Sequence, residues 1–242
     1  MKRITLMLTL MVLPLVLAIN ANAQVRVYDT IYNAAGTDFQ LTELTFTGSV
    51  PRYRMADGLG VSLAIPHFLT RLDFVLIIAT AGTYSNVTAD VEVYNAWDPG
   101  APTGSVFSDL ARAFTVNLGT FSPTGATAYI ITAPVPSGVV LSTNPQKGVV
   151  VTLKNNGVLD NVLTLGVVNR LPNPGGEVVA DLWYRDANNN GIIEAADGRT
   201  FGAPRTADNI AFTLWAQPVP EPTTLLALSA GVAGLALRRR KR

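Results

Sequence analysis

A two-residue period limits this chain more than any other feature. Across residues 87–94, Val87, Ala89, Val91 and Val93 are apolar, while Thr88, Asp90, Glu92 and Tyr94 are polar or amphipathic. Only an extended strand with one buried face sorts side chains in this way. Alternating or short apolar runs recur at 25–31, 41–46, 60–65, 69–79, 128–133, 149–154, 162–168, 178–184 and 209–216. Residues 105–118 read as one strand or two. In 69–79, Leu72, Phe74, Leu76 and Ile78 share a face. No long stretch between the two ends repeats apolar residues at helical spacing. Asn155-Asn156-Gly157 separates two β-rich runs, and Asn-Gly suits a type I′ turn, which needs φ > 0 at both positions. The Pro- and Gly-rich stretches 98–102 and 171–176 read as loops. The prediction is an all-β chain: one antiparallel β-sandwich, jelly-roll-like, over residues 24–217.

The ends obey different rules. Lys2 and Arg3 precede an apolar run, Ile4 to Ile19, and Ala21-Asn22-Ala23 has the small-residue spacing of a cleavage site. Residues 1–23 therefore read as a secretory signal peptide, cut between Ala23 and Gln24. At the other end, Pro218 to Pro222 reads Pro-Val-Pro-Glu-Pro. Proline fixes φ and lacks an N–H, so this cluster joins neither a helix interior nor a central strand. Thr223 to Leu237 carries no charge, and Arg238 to Arg242 is wholly basic. The apolar part is expected to be helical. At 1.5 Å per residue it spans about 22 Å, short of the ~30 Å hydrocarbon core. The basic end favours the cytoplasmic side.

Pro220-Glu221-Pro222, the short apolar segment and the Arg-rich end, in that order, resemble a PEP-CTERM sorting signal covering residues 218–242. The resemblance implies an exported protein of a Gram-negative-type bacterium that makes exopolysaccharide. It also implies processing near Pro220-Glu221-Pro222 by an exosortase, a membrane-embedded transpeptidase-like enzyme. Exosortase and the export machinery are thus expected partners. The membrane is a transient one through the C-terminal helix, and exopolysaccharide is a further candidate.

Composition narrows the domain between the ends. Residues 24–217 hold 11 Lys and Arg against 16 Asp and Glu, a balance of −5, whereas the whole chain carries +1. No basic patch remains to neutralise phosphates, so a nucleic-acid partner is not expected. There is no cysteine. An exported domain without disulfides must rely on core burial, metal, or both, and 194 residues suffice for one core.

The sharpest interior motif runs from Asp186 to Asp197. Asp186, Asn188 and Asn190 stand at positions 1, 3 and 5 of a twelve-residue loop, with Gly191 at position 6. The Ile192 carbonyl falls at position 7, Glu194 at 9 and Asp197 at 12. Calcium takes six to eight hard oxygens, and alternate residues of a curled loop supply them. The spacing resembles the loops of dockerins and EF-hands, so Ca²⁺ is the expected cofactor. Two departures stand out: Asp197 is shorter than the usual Glu, and no helix is expected on either side. A polar hairpin tip on Asn190-Gly191 is the competing reading. We expect Asp186→Ala to abolish calcium stabilisation and leave metal-free stability nearly unchanged.

Other constellations are poorer. His67 is the only histidine, and no Gly-x-Ser-x-Gly elbow accompanies it. Asp90 and Glu92 share a strand face, as two glycosidase carboxylates could, but an exposed polar sheet face is the ordinary explanation. Trp97, Trp183 and Trp215 could stack on sugar rings; Trp183 and Trp215, on late strands, are expected in the core. No catalytic residue is expected. The reading is a non-enzymatic structural or interaction protein of the cell surface or exopolysaccharide matrix. The alternatives are a carbohydrate-binding module and a secreted glycoside hydrolase.

Overall fold

The computed structural model describes residues 24–32, 53–176, 182–200 and 208–219. The signal peptide with Ala23, the run at 41–46, the first part of 178–184, the motif Pro220-Glu221-Pro222 and the apolar segment to Leu237 lie outside the described residues.

Fifteen strands are described, with no α-helix among them. They are β1 (Val25–Asp29), β2 (Arg54–Gly60), β3 (His67–Ile78), β4 (Tyr84–Trp97), β5 (Phe107–Phe121), β6 (Thr127–Pro134), β7 (Val140–Leu141) and β8 (Gln146–Asn155). Then follow β9 (Val158–Leu159), β10 (Leu163–Leu165), β11 (Val167–Asn169), β12 (Trp183–Arg185), β13 (Gly198–Arg199), β14 (Asp208–Ile210) and β15 (Phe212–Pro218). One sheet runs β1-β15-β3-β10, with β6 and β7 also on β3. The other runs β13-β12-β2-β8-β4-β5, with β9 on β8, and β11-β14 form a separate pair. The described pairings are antiparallel, so the expected all-β, sandwich-like architecture is what the chain adopts.

The two-residue period makes the core. Val87, Ala89, Val91 and Val93 of β4 and Val149, Val151 and Leu153 of β8 face Leu72, Phe74, Leu76 and Ile78 of β3 in one buried cluster. Each such side chain contributes about 1.5–3 kcal/mol when fully buried. Leu69 breaks the alternation yet is also buried. A bulge explains it: Trp215 pairs with Arg71 but Ala216 pairs with Leu69, so Thr70 is the extra residue.

Several expectations need correction. Residues 61–66 form no strand; the strand lies earlier, at β2. Its Gly58 and Gly60 lower strand propensity, but close packing demands them. A Cβ on Gly58 would sit 2.1 Å from the Trp97 ring, and one on Gly60 would sit 2.5 Å from the Gly176 carbonyl. From Phe107 on, the run 105–118 falls in one long strand, β5, whose pairing with β4 absorbs register shifts. The run 162–168 divides at Gly166 and the run 209–216 at Ala211. There the chains cross: Gly166 N–H bonds the Val75 carbonyl at 2.8 Å, and Ala211 N–H bonds the Gly166 carbonyl at 2.9 Å.

Candidate calcium loop and sorting motif

β12 and β13 pair directly, Trp183 with Arg199 and Tyr184 with Gly198. The twelve residues 186–197 form the connection between them. This excludes a tight two-residue hairpin on Asn190-Gly191. The left-handed residues are Asn189 (φ 57°) and Gly191 (φ 77°), not two in succession.

The loop folds around two buried carboxylates. Asp186 and Asp197 are 1% and 3% exposed. Asp186 Oδ1 accepts the Asn190 N–H at 3.1 Å and its Oδ2 accepts the Gly191 N–H at 2.9 Å. Asn188 Oδ1 shares the Asn190 N–H at 3.1 Å, and Asn190 Oδ1 accepts the Ile192 N–H at 2.8 Å. Asp197 closes the ring, its two oxygens accepting the Ala187 and Glu194 N–H groups at 3.1 and 3.0 Å. The Glu194 carboxylate takes the side-chain amides of Asn188 and Asn190 at 3.4 and 3.3 Å. Asp186, Asn188, Asn190, Glu194 and Asp197 are thus joined in one network. The short 3-10 turn Ala195–Asp197 carries the last of them.

Three contacts that spacing alone does not reveal pin this loop. Ile193, 1% exposed, enters a second buried cluster with Trp97, Phe107 and Tyr184 on the outer side of the larger sheet. Its carbonyl accepts the Val106 N–H at 2.9 Å. Asn189 accepts the Tyr53 hydroxyl, and burial together with the Asp186 charge raises the Tyr53 pKa. The apolar Ile193 within a polar run was the available signal.

The donor set suits a hard cation. Every predicted ligand is an oxygen, and an Asp oxygen that accepts one N–H retains a second lone pair. Among the described residues no three His, Cys, Asp or Glu side chains converge closely enough to hold a metal by themselves. An ion here would need the Asn oxygens and the Ile192 carbonyl as well.

The other candidates are accounted for structurally. Asp90 pairs with Lys154 at 2.6 Å and Glu92 with Arg54 at 3.0 Å. Burial works to raise the Asp90 carboxyl, but hydrogen bonds from Lys154 and Thr115 outweigh it and hold the pKa below its ordinary value. That is the wrong direction for a general acid. His67 Nδ1 lies 2.8 Å from the Ile65 carbonyl. Burial pulls the Lys147 ammonium down to about 8, yet it lies against Ser142 Oγ and the Asn144 carbonyl. Trp97 and Trp183 are buried. Trp215 is not the core residue expected. It is half-buried on the outer side of its sheet, donates to Asp73 at 2.9 Å, and has the Arg71 and Arg26 guanidiniums 4.9 and 5.7 Å from its ring centroid.

The last strand leads straight to the tail. Pro218 pairs with His67, and the Val219 N–H bonds the Pro66 carbonyl at 3.0 Å. Residues 218–241 match the family model of the PEP-CTERM protein-sorting motif. No curated protein and no solved structure matches the chain. The sorting match defines an exported, surface-targeted protein whose tail is processed by an exosortase at the membrane.

Proposed function

We propose that the chain is a non-enzymatic structural or interaction protein of the cell surface or exopolysaccharide matrix of a Gram-negative-type bacterium. In this reading residues 1–23 direct export, 24–217 form the delivered domain, and 218–242 are the sorting signal. The observation that carries it is the placement of β15. This strand lies between β1 and β3 and enters the sorting motif without a linker. The sheet is complete only when the chain up to that motif has crossed, so the sorted cargo is the folded sandwich. The pairing of Asp90 and Glu92 with cations supports a structural role for those carboxylates.

Within that role, loop 186–197 binds Ca²⁺ through Asp186, Asn188, Asn190, Glu194 and Asp197 and the Ile192 carbonyl. The ion would supply positive charge where two carboxylates are buried and would pin the β12–β13 connection. A weak site, with Kd ~10⁻⁴–10⁻³ M, would still fill in a millimolar-calcium exterior.

The test is fractionation of the tagged protein with and without residues 218–242, together with intact-mass analysis. We expect mature protein beginning at Gln24 and lacking Arg238 to Arg242. An Arg-rich end on the surface form would refute processing. Hydrolysis of a polysaccharide by the purified protein would refute the non-enzymatic role, and direct glycan binding would favour a carbohydrate-binding module.

A further inference from the structure

Both ends of the domain leave the sandwich at one pole. β1 runs antiparallel to β15 with Val25 opposite Ala216, and β15 ends with Pro218 opposite His67. Gln24 donates to Thr70 Oγ1, which donates in turn to the Trp215 carbonyl at 3.0 Å. The Val219 N–H is held by the Pro66 carbonyl. Beyond this clamp only Pro220, Glu221 and Pro222 precede the uncharged run that begins at Thr223. Four residue steps of even a fully extended chain reach at most about 13–14 Å, which caps the distance from Val219 to Thr223. The headgroup region on each side of the hydrocarbon is itself about 5–8 Å thick. Even at full reach of so short a tether, the clamp lies within about 10 Å of the headgroup surface, so this pole is the part of the domain held next to the bilayer.

The same pole is apolar and concave. A cleft of about 670 Å³ opens there, lined by Val25, Val27, Val61, Leu63 and Ala64, with His67 among its walls. Val25 is 43% exposed. The far pole lies at the other end of β8, which starts at Gln146 beside the cleft and ends at the Asn156-Gly157 turn. At ~3.3 Å per residue, that strand separates the poles by about 30 Å.

We propose that the cleft-bearing pole is a membrane-facing surface. While the tail is inserted, the rim formed by Val25, Leu63 and Ala64 rests in the interfacial region of the bilayer, and the Asn156-Gly157 hairpin points away. The inference rests on insertion of residues 223–237, and the experiment separates the two. The chain has no cysteine, so a single introduced thiol reports one position. Full-length Ser62→Cys and Val158→Cys proteins, each carrying a polarity-sensitive fluorophore, are mixed with phospholipid vesicles containing spin-labelled lipid. Ser62 is exposed at the cleft and Val158 is 67% exposed at the far pole. Ala64→Cys provides a second reporter if Ser62→Cys disturbs its loop. The expected result is a blue shift and quenching at position 62 or 64 and neither at 158. Protein that co-sediments with vesicles but responds equally at both poles, or only at 158, overturns the proposal and leaves insertion standing. Failure of the full-length protein to co-sediment overturns insertion and the proposal with it.

Discussion

Two Asn-Gly steps, Asn156-Gly157 and Asn190-Gly191, are alike in sequence and opposite in structure. At the first, both residues are left-handed, with φ of 50° and 78°. Asn155 pairs with Val158 across them, so the turn is closed by backbone. At the second, the left-handed residues are Asn189 and Gly191, and the N–H groups of Asn190 and Gly191 point to the Asp186 carboxylate. The first turn satisfies itself locally. The second wraps around charges that remain buried, and its shape depends on side chains up to eleven residues apart.

The largest test of this contrast is Asp186→Ala. It strips the acceptor from the Gly191 N–H and one of two acceptors from the Asn190 N–H, which keeps Asn188 Oδ1. An N–H left without its partner costs up to about 1–3 kcal/mol where it is buried, so the bonds seen here argue for a metal-free loss at the low end of that range rather than for a nearly unchanged stability. A ligand that binds only the folded loop adds about 2.7 kcal/mol at ~100 times Kd, and this is the increment the proposed calcium site should give the wild type. The variant should lose this increment too. Urea unfolding in calcium and in chelator measures both. A wild-type calcium increment surviving in Asp186→Ala would remove the metal from the comparison.

Gly157→Ala comes next. The substitution forces an L side chain into φ 78°, at a cost of about 1–2 kcal/mol. Its calcium increment should match that of the wild type, since nothing in the hairpin reaches the loop. A reduced increment would mean that the two turns are coupled.

Tyr53→Phe probes the pin between the loop and β2. Losing one hydrogen bond costs about 1 kcal/mol. A pH series adds a sign. The Tyr53 pKa in the fold is raised by burial and by Asp186. The hydroxyl's contribution is therefore complete below its unfolded value near 10 and lost as pH rises through the folded value. The wild-type advantage over Tyr53→Phe should shrink above pH 10; a constant difference would show that the hydroxyl does not titrate in the fold.

What the sequence made legible follows from the range of the forces involved. The two-residue period of β4 and the Asn156-Gly157 turn are local, and both were readable. The chain crossing at Gly166, Val75 and Ala211 was not, because each run looks continuous until its partner divides it. β2 was hidden for the same reason: Gly58 is dictated by the Trp97 ring, 39 positions away. In the loop, the spacing singled out side chains that the structure joins in one hydrogen-bond network, but not what supports that network. Trp215 was misplaced because its indole is satisfied from outside, by Asp73 and two arginines, as well as by packing.

The smallest effect belongs to Glu194→Gln, and it separates scaffold from ligand within the loop. Asp186 is buried and serves backbone N–H groups, whereas Glu194 is half-buried and takes two long contacts from side-chain amides. A glutamine oxygen can still accept those amides, so metal-free stability should move by no more than about 0.5 kcal/mol. Calcium affinity responds to ligand charge, and one lost charge should weaken binding by about tenfold, or ~1.4 kcal/mol. Isothermal titration with calcium reads the affinity, and chelator-phase unfolding reads the scaffold. An unchanged Kd would exclude Glu194 from the ligand set. A metal-free loss as large as that of Asp186→Ala would make Glu194 part of the scaffold, and the division between the two carboxylates would collapse.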